Sequence, residues 1–214
     1  MGDLSSRDSQ LPATSQLADG VGKHADQQLT GDGQSTELEH HHPLAYRQAI
    51  LDDTVELHQV IIDAYEPLRQ LQIPFPAGYA TVEAIEHNIA AHECYVLLRD
   101  GQIAATVTLD RDDQPRLKAL SDLPFIRWFA VAPQFKGQGD GARLLDWVEQ
   151  QIILGKHNQP GVMLATASRH PWLAAMYERK GYRIFHDYVN SGEHIVYMAK
   201  QLNPEVNFQS LLHV

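Results

Sequence analysis

The sequence predicts a mixed α+β domain in which strands and helices alternate along the chain. Two pairs of short apolar runs are joined by turn residues, Asp100-Gly101 and Asn190-Ser191-Gly192, as in antiparallel hairpins. A third strand-like run, Phe125 to Val131, is followed by a glycine-rich loop and then by an amphipathic helical pattern. The chain has 214 residues and is 43% hydrophobic, with a mean hydropathy of -0.32. It is therefore long and apolar enough for one domain with a sizeable core.

The first 43 residues differ from the rest of the chain. They are rich in Gly, Ser, Asp, Gln and Thr without apolar periodicity, so we predict a disordered tail over residues 1–43. The start, Met1 to Ser6, fits a loose myristoylation pattern, but no basic patch follows it as a second membrane anchor. The end, Glu39 to His42, is interpreted as a solvated linker. We place the folded domain at residues 44–202 and a C-terminal extension at 203–214.

The first half of the domain predicts a strand, two helices and a hairpin. Apolar residues at helical spacing after the first strand are interrupted near Pro67, and Thr81 is a residue type that caps helix N-termini. The predicted bounds are Leu44 to Ile50 for the strand, Asp53 to Leu71 and Thr81 to His92 for the helices, and Tyr95 to Arg99 and Ile103 to Leu109 for the hairpin.

The second half predicts four strands and two helices. The polar segment Asp110 to Pro124 is predicted to be a loop. Pro171 suits the first turn of the second helix, and Gly181 suits the position just past its end. The predicted strands are Phe125 to Val131, Val162 to Ala167, Ile184 to Tyr188 and Ile195 to Ala199, and the helices are Asp140 to Leu154 and one around Tyr177.

The glycine-rich loop is the strongest functional signal. Gly137, Gly139 and Gly141 leave backbone N–H groups unshielded at the start of a helix, which favours binding of a phosphate or pyrophosphate. A P-loop is excluded because Lys136 precedes the glycines and no Ser or Thr follows them. The dinucleotide pattern Gly-x-Gly-x-x-Ala is met formally up to Ala142 and stays an alternative. It lacks the acidic ribose ligand expected about 20 residues later.

The loop and its flanks resemble the signature of the GNAT superfamily of acetyl-CoA-dependent N-acetyltransferases. Val131-Ala132-Pro133 resembles the Val-x-Pro that ends a strand, Lys136 to Gly141 resembles the Arg/Gln-x-x-Gly-x-Gly/Ala loop, and Leu144-Leu145 resemble the paired leucines that follow. Lys136 stands where Arg or Gln is usual, and it keeps the positive charge without a forked geometry. Further along, Tyr177 to Tyr182 resembles the second family signature, Tyr-Glu-x-x-Gly-aromatic.

The resemblance implies the GNAT acetyltransferase fold, with a mixed and mostly antiparallel central sheet of six or seven strands flanked by about four helices. It also implies acetyl-CoA as cosubstrate. No HExxH or CxxC spacing occurs, and we predict no metal. His170 stands where the family usually has an Asn that contacts the pantetheine arm. The residues implied to hold the cofactor are Phe129, Ala130, Val131, Lys136, Gly137, Gln138, Gly139, Asp140, Gly141, Ala142, His170 and Tyr177.

Direct transfer of acetyl to an amine is the mechanism that the resemblance implies. Tyr177 would be the general acid that protonates the departing thiolate. The base is less defined because the strand before the loop lacks the family's Glu, and Asp122, His170 and Glu66 are the candidates. The acceptor pocket would be walled by Glu66 to Ala80 and Tyr188 to Glu193. The alternative function is a catalytically weak acyl-CoA-binding sensor or interaction module.

Composition limits the partners. A net charge of -10 and a pI of 5.6 argue against nucleic acid as a partner. The acceptor that the resemblance implies is a small-molecule or peptide amine. No apolar run approaches the roughly 20 residues of a membrane span, and no secretory signal is recognised. The single Cys94 is interpreted as a buried strand thiol, and the predicted location is the cytoplasm. Apolar residues among the last few, Phe208, Leu211 and Leu212, predict docking on the core or on a second subunit as a homodimer.

Overall fold

The protein is described from a computed structural model, which defines residues 44–110, 115–190 and 192–213. The predictions for residues 1–43, including the disordered tail, the histidine linker and the myristoylation pattern, lie outside the described residues. No helix in the described part of the chain is long and apolar enough to cross a membrane.

The part of the chain that the structure describes holds seven strands, which form one mixed sheet in the order β1-β2-β3-β4-β5-β7-β6. Neighbouring strands are antiparallel except β4 and β5, which run parallel. The predicted mixed, mostly antiparallel sheet is therefore confirmed. The strands are β1 Leu44–Gln48, β2 Glu93–Arg99, β3 Gln102–Asp110, β4 Phe125–Val131, β5 Gly161–Ala167, β6 Arg183–Asn190 and β7 Glu193–Gln201.

The pairing between β4 and β5 is short, and this opens the sheet. Only Phe125 with Met163 and Ile126 with Leu164 are paired, so the two strands part beyond Ile126. The same stretch of β4 carries a β-bulge against β3, and Trp128 within it has a φ of 53°. This left-handed conformation is uncommon for a non-glycine residue. A bulge bends the strand and re-aims its side chains, here just where the sheet opens.

Six α-helical segments lie between the strands in the described residues. The predicted interruption near Pro67 is confirmed, because one helix ends at Ala64 and the next begins at Glu66. Thr81 caps its helix as predicted, with Oγ1 accepting the Ala84 N–H at 3.2 Å. The bounds are α1 Thr54–Ala64, α2 Glu66–Gln70, α3 Val82–Ala91, α4 Pro115–Lys118, α5 Asp140–Trp147 and α6 Leu173–Arg179.

Three local predictions were wrong. The predicted polar loop contains the short helix α4, on which Leu117 is buried against the core. The helix after the glycine loop does not stay α-helical to Leu154, because it continues from α5 as a π-helix over Val148–Lys156. Pro171 lies outside α6, whose N-cap is Trp172. Gly181 does end α6 as predicted, with a φ of 90° and its N–H donated to the Glu178 carbonyl at 2.9 Å.

Apolar layers cover both faces of the sheet. On one face, α5, the π-helix and α6 bury a cluster that includes Leu144, Leu145 and Val148. On the other face, α1 and α3 bury a second cluster that includes Leu57, Ile61 and Ile85. Cys94 is 1% exposed within this second cluster, which confirms the predicted buried thiol.

The C-terminal segment packs on its own chain. A 3-10 turn covers Phe208–Leu211, and Leu212 then forms an isolated β-bridge with Ser121. The His213 N–H donates to the Leu120 carbonyl at 2.8 Å. Of the two predicted alternatives for this segment, the described residues therefore support docking on the core.

Candidate active site

A cavity of about 620 Å³ lies beside the glycine loop, where β4 and β5 diverge. Its walls come from the end of β4, the loop, α5, β5 and α6, and also from α1 and α2 on the opposite layer. The cavity thus passes through the opening in the sheet and is lined by elements from both faces. All of the predicted cofactor residues except Gln138 line it, namely Phe129, Ala130, Val131, Lys136, Gly137, Gly139, Asp140, Gly141, Ala142, His170 and Tyr177.

The loop geometry depends on its glycines. Gly137 and Gly139 both have a φ of 82°, and Gly139 is the N-cap of α5. A Cβ on Gly141 would lie 2.6 Å from Val131 Cγ2 and 3.0 Å from Phe129 Cζ. Side chains at these positions would strain the loop or crowd the cavity wall. Gln138 turns away, with its Nε2 donating to the Gln134 carbonyl at 3.1 Å.

Asp140 fixes the loop from inside. Its carboxylate is buried and accepts two hydrogen bonds from Arg99, at 3.0 and 2.6 Å. Arg143 adds a third contact at 3.1 Å and also donates to the Gln138 carbonyl at 2.6 Å. The Asp140 carboxylate is therefore bound by arginines of the protein and serves to hold the loop in place. With two guanidinium groups around one carboxylate, and with Lys136 nearby in the loop, the helix start keeps a positive balance that suits an anion.

Two tyrosines share the cavity. Burial raises the pKa of Tyr177 well above its usual range, and the neighbouring Tyr65 raises it further. Burial also raises the pKa of Tyr65 well above the usual range. Because both pKa values are raised, both phenols are protonated at neutral pH. Neither hydroxyl has a hydrogen-bond partner among the described residues, so both are available as donors in the cavity. Sequence reasoning missed Tyr65, since no motif marks a residue at the end of α1.

His170 is the one histidine among the described residues that line the cavity. It is 3% exposed and lies in the turn after β5, where its N–H donates to the Ala167 carbonyl at 3.2 Å. Its ring meets Trp172 edge-on at 4.8 Å. Nδ1 is fully enclosed without a partner among the described residues, and His170 lines the cavity. Burial lowers the pKa of His170, so the ring is neutral at pH 7.

The other base candidates lie elsewhere. The Asp122 side chain is 73% exposed, near Lys118 and His213, and lines a separate cavity of about 300 Å³. The structure thus contradicts its placement beside Tyr177, because the segment before β4 runs past the paired end of β4 and β5. Glu66 is half exposed and bound to Arg69, and it does not line the cavity.

Of the two segments predicted to wall the acceptor pocket, one lines this cavity, and the role of its residues toward an acceptor stays a prediction. The segment after α1 supplies Pro67, Leu68 and Phe75 to the cavity. The described residues of the Tyr188–Glu193 turn do not reach it, because Tyr188 stacks on Tyr197 and Glu193 binds Arg169. Within the described residues there is no group of three or more His, Cys, Asp or Glu side chains placed to hold a metal ion.

Comparisons with known proteins find one family model and related acetyltransferases. Residues 90–184 match the family "Acetyltransferase (GNAT) domain". The chain is 37% identical over 165 residues to the S-alkylcysteine N-acetyltransferase of Bacillus subtilis, covering 75% of this chain and 90% of that protein. It is 41% identical over 162 residues to the S-(2-succino)cysteine N-acetyltransferase of the same organism, covering 75% and 98%.

Solved structures show the same fold. The ribosomal-protein-S18-alanine N-acetyltransferase from Escherichia coli superposes with a TM-score of 0.58 at 17% identity, covering 78% of this chain and 98% of that one. The PaiA N-acetyltransferase from Thermoplasma acidophilum, solved with coenzyme A, gives a TM-score of 0.56 at 13% identity, covering 74% and 99%.

Proposed function

The chain belongs to the GNAT superfamily of N-acetyltransferases, and we propose that it acetylates the α-amine of a small S-substituted cysteine. It is an enzyme that transfers an acetyl group to an amine. The observation that carries the proposal is the cavity itself, in which the glycine loop, Tyr177 and His170 meet where the sheet opens. The two curated relatives, both acting on S-substituted cysteines, support this acceptor class.

The cosubstrate acetyl-CoA binds along the loop and the end of β4. Backbone N–H groups from Gly137 to Ala142, at the positive end of α5, hold the pyrophosphate, and Lys136 adds a point charge. Beyond Ile126 the edge of β4 that faces β5 is unpaired, so its backbone is free to bond the pantetheine amides. The thioester then lies at the opening between the strands, and proximity supplies much of the rate.

Tyr177 is proposed as the general acid. As the amine nitrogen attacks the thioester carbon, the carbon–sulfur bond breaks and the CoA thiolate leaves. Burial keeps the Tyr177 phenol protonated at neutral pH, so a proton is present beside the sulfur when negative charge builds on it. The nitrogen of the new amide gives a proton back to the phenolate, which restores Tyr177.

His170 is proposed as the base, in place of Asp122. The acceptor arrives as an ammonium ion and must lose a proton before it can attack. The neutral His170 ring lines the cavity, where it would accept this proton and release it to solvent. Of the three protons on the ammonium, one leaves through His170, one ends on the CoA thiol by way of Tyr177, and one stays on the amide.

The proposal also covers the domain that carries the activity and the cellular compartment. The enclosed domain of residues 44–202 carries the chemistry, with the C-terminal extension docked on it. Use of acetyl-CoA, and a single thiol buried in the core, favour the cytoplasm as the compartment.

The test is turnover of S-methylcysteine with acetyl-CoA, followed through the released CoA thiol. Tyr177→Phe should lower kcat by about 10²- to 10⁴-fold, the usual contribution of a general acid, with the Kd for acetyl-CoA little changed. His170→Asn, which installs the residue usual in the family, should lower kcat similarly, whereas His87→Asn on the exposed face of α3 serves as the matched control. An unchanged rate in either active-site variant refutes the role given to that residue.

A further inference from the structure

We propose that this enzyme selects acceptors with an uncharged S-substituent and discriminates against those whose S-substituent carries carboxylates. The inference rests on the proposed function and concerns the acceptor end of the same cavity. Cysteines with an uncharged S-substituent and cysteines with a carboxylate-bearing one share the same α-amine. The transfer reaction itself therefore does not distinguish them, and any selection between them must come from contacts with the S-substituent.

The acceptor end is walled by side chains that are apolar apart from one neutral hydroxyl, that of Tyr65. The end of α1, together with α2 and the segment after it, contributes Tyr65, Pro67, Leu68 and Phe75. Leu68 also belongs to a small buried cluster with Ile73, against which Tyr65 and Phe75 pack. A thioether and its alkyl group would exchange water for these carbon-rich surfaces, which is favourable in proportion to the apolar area buried.

The arginines near this wall are already committed to internal partners. Arg69 Nη1 donates to the carbonyls of Ile62 and Gly78, each at 2.8 Å, and its Nη2 binds Glu66. These bonds tie the chain after α2 to α1. Turning Arg69 toward a ligand would break the contacts that hold the wall in place.

Arg169 is committed in the same way on the other side. Its Nε and Nη2 contact Glu193 Oε2 at 3.1 and 2.7 Å, and Nη2 also donates to the Gln72 carbonyl at 3.2 Å. Glu193 is 5% exposed, so removing its only cationic partner among the described residues would leave a buried carboxylate unpaired. Arg169 therefore serves as a tether between the Gln72 loop and β7.

Among the described residues, those that form this wall give a carboxylate on the S-substituent a neutral hydroxyl but no cation, and Lys136, at the glycine loop of the same cavity, is assigned to the CoA pyrophosphate. Moving an ionised carboxylate from water to an apolar surface without a partner is strongly unfavourable. We expect kcat/KM for S-(2-succino)cysteine to be at least about 100-fold below that for an S-alkylcysteine of similar size. Lengthening the alkyl group from methyl to propyl should raise kcat/KM by roughly fourfold per methylene.

The experiment compares three acceptors at saturating acetyl-CoA: S-propylcysteine, S-(2-succino)cysteine, and the dimethyl ester of the succinyl group of the latter. The diester keeps the size and removes the charge. Good turnover of S-propylcysteine and of the diester, with poor turnover of the diacid, supports the inference. Equal or better turnover of the diacid overturns it, as does rejection of the diester together with the diacid. If none of the three is acetylated, the proposed function itself fails.

A pair of variants tests the wall directly. Phe75→Arg places a cation in the wall and should shift the ratio of kcat/KM toward the diacid by at least about tenfold. Tyr79→Arg adds the same charge in the same short turn, but at a side chain that is 59% exposed and does not line the cavity. The ratio should not change in Tyr79→Arg, and an equal shift in both variants would overturn the inference.

Discussion

The crowding around Gly141 allows a worked prediction for Gly141→Ala. The added Cβ would lie 2.6 Å from Val131 Cγ2 and 3.0 Å from Phe129 Cζ. Carbon atoms prefer separations of about 3.5–4.0 Å, so the two side chains must retreat by about 0.5–1 Å. Overpacking of this kind costs about 1–3 kcal/mol, and the better helix propensity of Ala returns about 0.5–1 kcal/mol. These ranges differ by about 0–2.5 kcal/mol, and their middle values give a net loss of unfolding free energy of about 1–2 kcal/mol.

The assay has a stability arm and a binding arm. For a domain of this size, about 1–2 kcal/mol corresponds to a fall in Tm of about 2–8 °C. Val131 and Phe129 both line the cavity, so their retreat narrows the cofactor site and should weaken acetyl-CoA binding as measured by calorimetry. The control is Gly101→Ala in the β2–β3 hairpin, where φ is 79° and nothing lies within 4 Å of the added Cβ. It should lose about 1 kcal/mol through backbone strain alone and keep its Kd for acetyl-CoA.

The decisive experiment is a double variant that removes the steric overlap between the new Cβ and Val131. Combining Gly141→Ala with Val131→Ala removes the methyl group that collides with the new Cβ, so the two stability losses should not add. Coupling between such contacting residues is typically about 0.5–3 kcal/mol. Additive losses, or an unchanged Kd for acetyl-CoA in Gly141→Ala, would refute the steric reasoning.

Three further predictions concern other parts of the molecule. Burial lowers the pKa of His170, and the neutral ring is the form that accepts a proton, so kcat/KM should stay level at neutral pH and fall as the pH drops below about 6.5; a profile of His170→Asn should lack this acidic limb, and an identical profile would contradict the base role. Burial also raises the pKa of the Cys94 thiol, so a disulfide reagent should modify it slowly in the native protein and rapidly in denaturant, and equal rates would show that the thiol is accessible. Thr81→Ala removes the hydrogen bond from the Ala84 N–H and should cost about 1 kcal/mol in urea denaturation, whereas Thr81→Ser should lose much less.

Sequence reasoning predicted the features that depend on local signals. Thr81 caps its helix and Gly181 ends α6 because these conformations need particular residue types wherever they occur. The glycine loop was recognisable for the same reason, since Gly137 and Gly139 adopt positive φ angles. Most of its predicted residues line the cavity, although their contacts with a cofactor stay predictions.

The features that sequence reasoning missed depend on tertiary contacts. Trp128 has a positive φ without being a glycine, because the bulge arises from how β4 pairs with β3. Tyr65 reaches the cavity only because α1 packs across the opening of the sheet. Asp122 was a reasonable carboxylate by its position in the chain, yet the direction of its segment carries it to another cavity.

The short pairing between β4 and β5 has a mechanical consequence. The C-terminal segment begins with the Leu202 N–H donating to the Pro160 carbonyl at 2.8 Å, just before β5, and finishes against Leu120, before β4. It thus connects the segments that lead into β4 and β5, at the end where these two strands are paired. Residues 203–213 therefore brace the end at which β4 and β5 are paired, on the side remote from the glycine loop. A tag fused to the C-terminus would be attached next to this paired end.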